Sequence, residues 1–382
     1  MNSFLLIRTV ATLLTVISIL VASNIYTLIP IYDVVAKGLG ISSADVVIAG
    51  SLFTLFYAVG LLSFGPISDY TGRKKILVFG LLASSFTTLA VGFATDTFSL
   101  WLTRSIQGFT LASFASVVFS YSFELFPTKQ RTLLVVLINT GFLIAGIFGQ
   151  LISSILSHLV SWNSVFIFFS ICYLLLFGVA FFLLADSPAQ KTDREPIWIS
   201  FLILLKDSRL VTCYLIAFTL LFSVIAFYDT LGRFFSGTDG DLFKIRSAGL
   251  IGATVSLFTG KLIDLMGEIK ILSAGLLLGV FGLLSMVVFY STVGLITFST
   301  LFIASISIVI PTVITLVGSY SGQKRSKALS LYSFILLTGA SLAPSVATVF
   351  SFFEMLILLA SLFIINIGLC YQLKKGSVKQ GC

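Results

Sequence analysis

The sequence predicts an all-α membrane protein, with twelve transmembrane helices in two pseudo-symmetric six-helix bundles. Three observations lead there. Hydrophobic residues make up 58% of the 382-residue chain and charged residues 10%, with mean hydropathy +1.11. A soluble domain usually carries about 25% charged residues, so this chain holds more apolar surface than a water-soluble core can hide. Uncharged runs long enough to cross lipid recur along the chain; a hydrocarbon layer of roughly 30 Å takes about 20 helical residues. The pattern Gly65-x-x-x-Asp69-x-x-Gly72-x-x-Lys75 returns 195 residues later as Gly260-x-x-x-Asp264-x-x-Gly267-x-x-Lys270. A repeat at half the chain length marks two copies of one plan.

The spans follow in order. Residues 9–32, 46–68, 76–95, 105–123, 210–228, 328–353 and 355–373 are charge-free runs of span length. Two longer runs, 132–185 and 271–323, each hold two spans, dividing near His158–Asn163 and Tyr290–Gly294. The twelfth span, about 243–263, is the weakest, because Lys244 and Arg246 intrude at its outer end. They are expected to snorkel to the interface. Span 1 is expected to run over about 9–32, with Asn24 and Tyr26 interrupting its outer half and Pro30 loosening its end, and 33–45 is expected as a short outer link. The domains are then an N-terminal bundle at 1–186, a cytoplasmic linker at 187–209, a C-terminal bundle at 210–373 and a tail at 374–382. Trp198 to Leu205 has the makings of a short surface helix within the linker.

Net charge is +8. Its basic residues crowd into alternate links, as in Arg73-Lys74-Lys75, Lys324-Arg325 and the tail. The positive-inside bias places those links, and both termini, in the cytoplasm of a cell membrane. No basic stretch forms a separate soluble face, so nucleic acid is not an expected partner. The first apolar run is too long for a signal peptide. Cys172, Cys213, Cys370 and Cys382 have neither metal nor redox spacing, so neither a metal nor a cofactor is expected.

The repeat reaches past the glycine motif. Gly141, Ala145 and Gly149 step by four along span 5, and Gly339, Ala343 and Ala347 do so along span 11. Small residues at that spacing let helix backbones approach closely. Span 4 carries Arg104-x-x-Gln107-Gly108, and Glu124, Pro127 and Arg131 follow it.

On these residues the chain resembles the major facilitator superfamily of secondary transporters. Gly65, Asp69, Gly72, Arg73 and Lys75 match its loop 2–3 signature, and Gly260, Asp264, Gly267 and Lys270 match the weaker loop 8–9 copy. Arg104, Gln107 and Gly108 match its span 4 element, and Glu124, Pro127 and Arg131 its next motif. Trp162 and Phe166 fall where the family often has Trp-Arg-x-x-Phe, with Asn163 in place of the arginine. Within the superfamily the chain looks most like the drug- or sugar-efflux, proton-antiporter branch. It departs from that branch at Gly146-Ile147-Phe148-Gly149-Gln150, which lacks the Gly-Pro pair of the antiporter element. The resemblance implies the major facilitator fold, alternating access around a central site, a small-molecule substrate, protons as a partner, a lipid bilayer around the chain, and a monomer. It implies that Asp69 and the basic residues of the motif gate the cytoplasmic side, with Glu124 as an ionic partner.

Other candidates come from the residues themselves. Arg104 sits at membrane depth, where a charge costs about 2.5 kcal/mol or more and normally faces a partner or water. It either binds an anionic group or tunes a nearby acid for proton coupling, or else it caps backbone carbonyls or snorkels outward. Counting 1.5 Å per residue puts Arg104 roughly 9 Å and Asn24 roughly 12 Å below the outer ends of their spans, so they share a level. Gln107 lies one turn from Arg104. Tyr26, Tyr57, Asn139, Gln150 and Phe222 are further cavity candidates, and Asp33 is a candidate titrating acid. Asp229 reads as an i,i+4 partner of Arg233. No nucleotide loop, metal cluster or nucleophile set is present, so an enzyme is not expected. Rival readings are a uniporter or importer of the same fold without proton coupling, and, further off, a polytopic membrane receptor or enzyme.

Overall fold

The computed structural model describes residues 3–126, 128–186 and 197–378. Among them every regular element is a helix. The helices gather into two compact units, Met1–Asp193 and Arg194–Cys382.

In the first unit, α1 spans Ser3–Ser23, α2 Tyr32–Leu39, α3 Ser43–Thr71, α4 Arg73–Gly92, α5 Thr97–Leu125, α6 Thr128–Leu159 and α7 Trp162–Leu183. Polar residues start these helices. Ser42 and Asp45 form a reciprocal capping box at α3, Asp96 and Ser99 another at α5, and the Ser161 side chain caps α7. Each occupies backbone N–H groups that the first turn leaves free. α3 and α4 both pack on α5, α4 packs on α7, and α1 packs on α6.

In the second unit, α8 is Ile197–Leu204, α9 Ser208–Phe234, α10 Asp239–Thr254, α11 Thr259–Met266, α12 Glu268–Val288, α13 Thr292–Tyr320, α14 Arg325–Ala347 and α15 Phe352–Val378. α10 and α12 pack on α13, α12 packs on α15, and α9 packs on α14. This is the packing scheme of the first unit, with α9 for α1, α10 for α3, α12 for α4, α13 for α5, α14 for α6 and α15 for α7. The small-residue stripes lie in matching seams. A Cβ at Gly141 would meet the Ser18 hydroxyl, and one at Gly149 the Ser23 carbonyl of α1. Gly339 stands likewise against the Phe218 carbonyl of α9, with Ala343 and Ala347 fully buried on the same helix.

Among the described residues ten helices are long and apolar enough to cross a membrane. The other two of the twelve predicted spans are α1, apolar but shorter over Arg8–Ser23, and α5, which carries Arg104 and Gln107. Those side chains lower the hydropathy of α5 but are fully buried within the unit.

Two expectations are corrected. Span 1 does not run to residue 32: α1 stops at Ser23 and the chain turns through 24–28 before a short 3₁₀ turn, Ile29–Ile31, and α2. The backbone tightens there to i→i+3 bonds, Tyr26 N–H reaching Ser23 O at 2.9 Å. The Asn24 side chain bonds Leu20 O and the Thr27 hydroxyl bonds Asn24 O, local competition of the kind that ends helices. The predicted link 33–45 accordingly contains α2. The twelfth span is present as one apolar run, Gly240–Met266, tightened by a 3₁₀ turn at Val255–Phe258 between α10 and α11, and the correction there concerns its basic residues. Lys244 is exposed there and pairs with Asp241, but Arg246 does not snorkel; it is 4% exposed.

Candidate functional site

The repeated glycine motif forms the α3–α4 turn in one unit and the α11–α12 turn in the other. Gly72 has φ +92° and ψ 134°, and Gly267 has φ +84° and ψ 153°. Each glycine ends one helix and starts the next, its N–H bonding back to Ser68 O at 2.9 Å or Ile263 O at 2.8 Å. A Cβ is strained in that conformation, which explains the residue type at both positions. Gly65 and Gly260 differ, since a Cβ at either would meet open space.

The first turn is fastened by charge. The Arg73 guanidinium reaches Asp69 Oδ1 at 3.3 Å and Glu124 Oε1 of α5 at 2.9 Å, and both Arg73 and Glu124 are largely buried. Arg73 thus ties the end of α3, the start of α4 and the end of α5 together. Lys74 pairs with Asp186 at 3.3 Å, while Lys75 is exposed. The second copy keeps the turn without the fastening. Asp264 and Lys270 are exposed, and no ion pair joins them among the described residues. The physical reason is one position: Glu268 stands where Arg73 does, so no cation follows the aspartate at i,i+4. The side chain of Arg131 and the whole of Pro127 lie outside the described residues.

A buried polar network fills the middle of the first unit. Asn24, Thr88, Arg104, Gln107 and Tyr173 are all wholly inaccessible. Arg104 Nη1 donates to Gln107 Oε1 at 2.6 Å, and Nη2 donates to the Asn24 carbonyl at 3.1 Å. Gln107 Nε2 donates to Asn24 Oδ1 at 2.9 Å and to the Thr88 hydroxyl at 3.0 Å. Asn24 Nδ2 donates to the Tyr173 hydroxyl at 2.6 Å, which itself donates to Leu20 O at 2.8 Å. The guanidinium lies 4.1 Å over the Phe53 ring, a favourable cation–π distance. Gly108 makes this possible by letting α5 close onto the Phe53 carbonyl.

This arrangement explains how a cation survives here. Arg104 faces the carbonyl end of α1, where the helix dipole favours positive charge. Of the two roles open from the sequence, capping of backbone carbonyls is the geometry observed. Among the described residues no carboxylate pairs with it, and its Nε atom has no hydrogen-bond partner.

The remaining candidates fall elsewhere. Tyr26 is buried with its ring against Gly146 of α6, and Tyr57 is buried and stacked on Phe53. Gln150 is spent on Gly146 O at 2.7 Å, Asp33 is exposed and accepts from the Ser43 hydroxyl, and Asn139 is half-buried on α6. Phe222 is buried on α9 in the second unit. Asn163 donates to Gly92 O at 2.7 Å, joining α7 to the end of α4.

Sequence reasoning missed Tyr173, Thr88 and the place of Arg246, while the Asp229–Arg233 pair forms as its spacing suggests. Tyr173 and Thr88 close the network from α7 and α4; a tyrosine inside an apolar run, whose hydroxyl needs a partner when buried, was the available signal. In the second unit Asp229 is the one wholly buried acid among the described residues. It bonds Arg233, and the Arg246 guanidinium of α10 lies against Gly232 of the same helix.

Comparisons with known proteins agree with this architecture. The Major Facilitator Superfamily model matches residues 13–344. An uncharacterized MFS-type transporter, YybF, of Bacillus subtilis is 25% identical over 85% of this chain and 82% of its own. The multidrug resistance protein MdtM of Escherichia coli O157:H7 is 30% identical over 45% of this chain and 42% of its own. Among solved structures, a bacterial homologue of the human lysosomal transporter Spinster, in an inward-facing and unoccupied conformation, superposes with TM-score 0.76. It shares 14% identity over 98% of both chains, which speaks to the fold.

Proposed function

The chain belongs to the major facilitator superfamily, a family of multi-pass membrane transporters rather than enzymes, and from that premise we propose that it exports a small organic molecule by alternating access in exchange for protons. The observation that carries alternating access is the duplication: both units repeat four helix pairings and one glycine turn of the same backbone state. Two copies of one bundle are what rocking between two open states needs. Export is supported by the similarity to MdtM, a multidrug resistance protein. The orientation proposed is the one the basic links favour, with both termini in the cytoplasm of a cell membrane.

Within this reading the Asp69–Arg73–Glu124 cluster is the gate fastening, formed when the end of the bundle holding the α3–α4 turn is closed. Arg104 is a positioning residue. It holds α1 in its broken form and so sets where the chain after Ser23 lies.

A second reading, facilitated transport without protons, has one observation in its favour. Gly146–Gln150 lacks the antiporter proline, and α6 runs on through it as regular helix. One experiment separates the two. Ligands that stabilise the purified protein are carried into counterflow in proteoliposomes, with and without an imposed pH gradient. Antiport predicts flux that follows the gradient; flux indifferent to it would leave facilitated transport, and no flux for any stabilising ligand would overturn transport of that class.

A further inference from the structure

The Arg104 network leaves out two tyrosines in the middle of the first unit. Tyr26 is 5% exposed and Tyr57 is 3% exposed, yet neither hydroxyl makes a hydrogen bond among the described residues. A buried tyrosine hydroxyl usually finds a partner. Tyr121 donates to Ala185 O, Tyr173 to Leu20 O and Tyr214 to Ala328 O. Tyr26 meets Gly146 of α6 with the hydroxyl-bearing end of its ring, since a Cβ there would stand 3.4 Å from Cζ. Gln150 Nε2 donates to Gly146 O at 2.7 Å, which lays the amide along α6 toward the same glycine. Its Oε1 is buried with no partner. Tyr57 stacks on Phe53, the ring beneath Arg104, and interacts electrostatically with Tyr26. Counting 1.5 Å per residue puts Tyr57 roughly 21 Å from the start of α3 and Gly146 roughly 20 Å from the end of α6. The two helix ends are on one side of the bundle, so the two residues share a level.

Two hydroxyls and one amide oxygen are thus available, without formal charge. Residues 9–32, 46–68 and 132–157, which supply α1, α3 and α6 here, contain no Asp, Glu, Lys or Arg. Arg104 is inaccessible and engaged with Gln107, Asn24 and Phe53. A charged ligand would meet no counter-ion on these helices, and a lone charge at membrane depth is costly. A carboxamide fits better. Its carbonyl accepts from two hydroxyls, one for each lone pair, and its N–H needs an acceptor oxygen. The last torsion of a glutamine turns over a broad range, which lets Oε1 meet that N–H. Phe142 stands one turn before Gly146 on the same face of α6. It is half-buried, with Phe114 and Phe119 edge-on to it, and offers an aromatic surface beside the polar groups.

We infer that the Tyr26 and Tyr57 hydroxyls and Gln150 Oε1 form a binding site for the carboxamide group of an uncharged aromatic molecule, whose ring lies against Phe142. The two tyrosines donate to the ligand carbonyl and the glutamine accepts from its N–H. Gly146 leaves the room that the end of the Tyr26 ring occupies. The site deepens the transporter reading by assigning a ligand class, and rests on it only for the fate of the bound amide; binding is measured without flux.

The test uses the purified full-length protein in detergent. Its unfolding midpoint is followed against benzamide, nicotinamide and acetanilide. Benzoate and benzylamine are the charged analogues, and acetophenone is the ketone without an N–H. An occupied site stabilises by mass action, so the midpoint should climb with at least one amide, and less with acetophenone, benzoate or benzylamine. Tyr26→Phe and Tyr57→Phe should each weaken the apparent affinity about two- to tenfold, the worth of one net hydrogen bond. Their ligand-free midpoints should match the parent's, because neither hydroxyl has a partner to lose; a structural role would lower them. Gln150→Leu should erase the preference for benzamide over acetophenone, and if it does not fold, that preference in the parent tests the same contact. Tyr371→Phe, which removes an exposed hydroxyl from α15, should leave affinity unchanged. No shift with any of the three amides overturns the proposal, as does full affinity in both tyrosine variants. Equal stabilisation by benzoate or benzylamine overturns the uncharged class, and equal stabilisation by acetophenone overturns the amide. Amide binding without flux in proteoliposomes would leave the site standing and remove the transport reading; flux of another ligand with no amide bound would do the reverse.

Discussion

Arg104 donates a hydrogen bond of 3.1 Å to the backbone carbonyl of Asn24, the first residue after α1 stops. The side chain of α5 thereby decides where another helix ends. A second donation, to Gln107, and a second contact, from Gln107 to Asn24 Oδ1, close the loop.

Replacing Arg104 with glutamine should cost about 1.5–3 kcal/mol, the range for a hydrogen bond to a charged group. Arg104→Lys should recover little of it, since one ammonium lacks the planar fork that reaches Gln107 and Asn24 together. Thermal unfolding of the purified protein checks both. A variant as stable as the parent would show that α1 ends at Ser23 without help from α5.

Tyr173→Phe removes only a hydroxyl, but that hydroxyl joins Asn24 Nδ2 to Leu20 O. The change removes two bonds and leaves these groups only the direct one, Asn24 Nδ2 to Leu20 O at 3.3 Å, at a cost of about 0.5–1.5 kcal/mol. The same unfolding measurement applies, and Tyr173→Phe combined with Asn24→Ala should cost less than the sum of the two, because they share one bond.

The two glycines of each motif copy should behave in opposite ways. Gly72→Ala and Gly267→Ala place a Cβ at positive φ and should each cost about 1–3 kcal/mol. Gly65→Ala falls in open space within a helix and should be neutral or stabilise by about 0.5–1 kcal/mol. Unfolding midpoints of the three variants suffice to compare them. A loss of flux in Gly65→Ala with the fold intact would place that glycine's role in the transport cycle rather than in the resting fold.

Asp69→Asn and Glu124→Gln should both slow transport. Asp69 is the more open to solvent, and its pair contributes only about 0–1 kcal/mol, so its loss is legible in flux before stability; Glu124 is largely buried against Arg73, and Glu124→Gln should also lower stability by about 1.5–3 kcal/mol. Asp264→Asn should alter neither, because that carboxylate is exposed at a turn without an arginine. Side-by-side flux assays of the three decide it, and normal flux in the first two would remove the gate fastening.

The helical architecture was legible because composition, run length and a motif repeated at half the chain are properties of the sequence alone. The level shared by Asn24 and Arg104 was legible by counting residues. Their partners were not: Tyr173 and Thr88 come from helices distant in sequence, and no local pattern says which face of an apolar helix turns inward. Asn24 and Tyr26 mark an interruption after Ser23, but the apolar residues that continue to Ile31 hide that the helix stops there, since hydropathy does not register an i→i+3 turn. Arg246 was misread for a related reason. A cation near the end of a span is assigned to the interface by default, and only packing shows that it turns back against Gly232.

The matched joints at Gly72 and Gly267 have one consequence for control. Both halves inherit the same elbow, yet among the described residues only the first is bound by ion pairs, from Arg73 to two carboxylates. Ion pairs are screened by added salt, which a bare elbow does not feel. Raising salt should therefore loosen the first elbow and leave the second as it is.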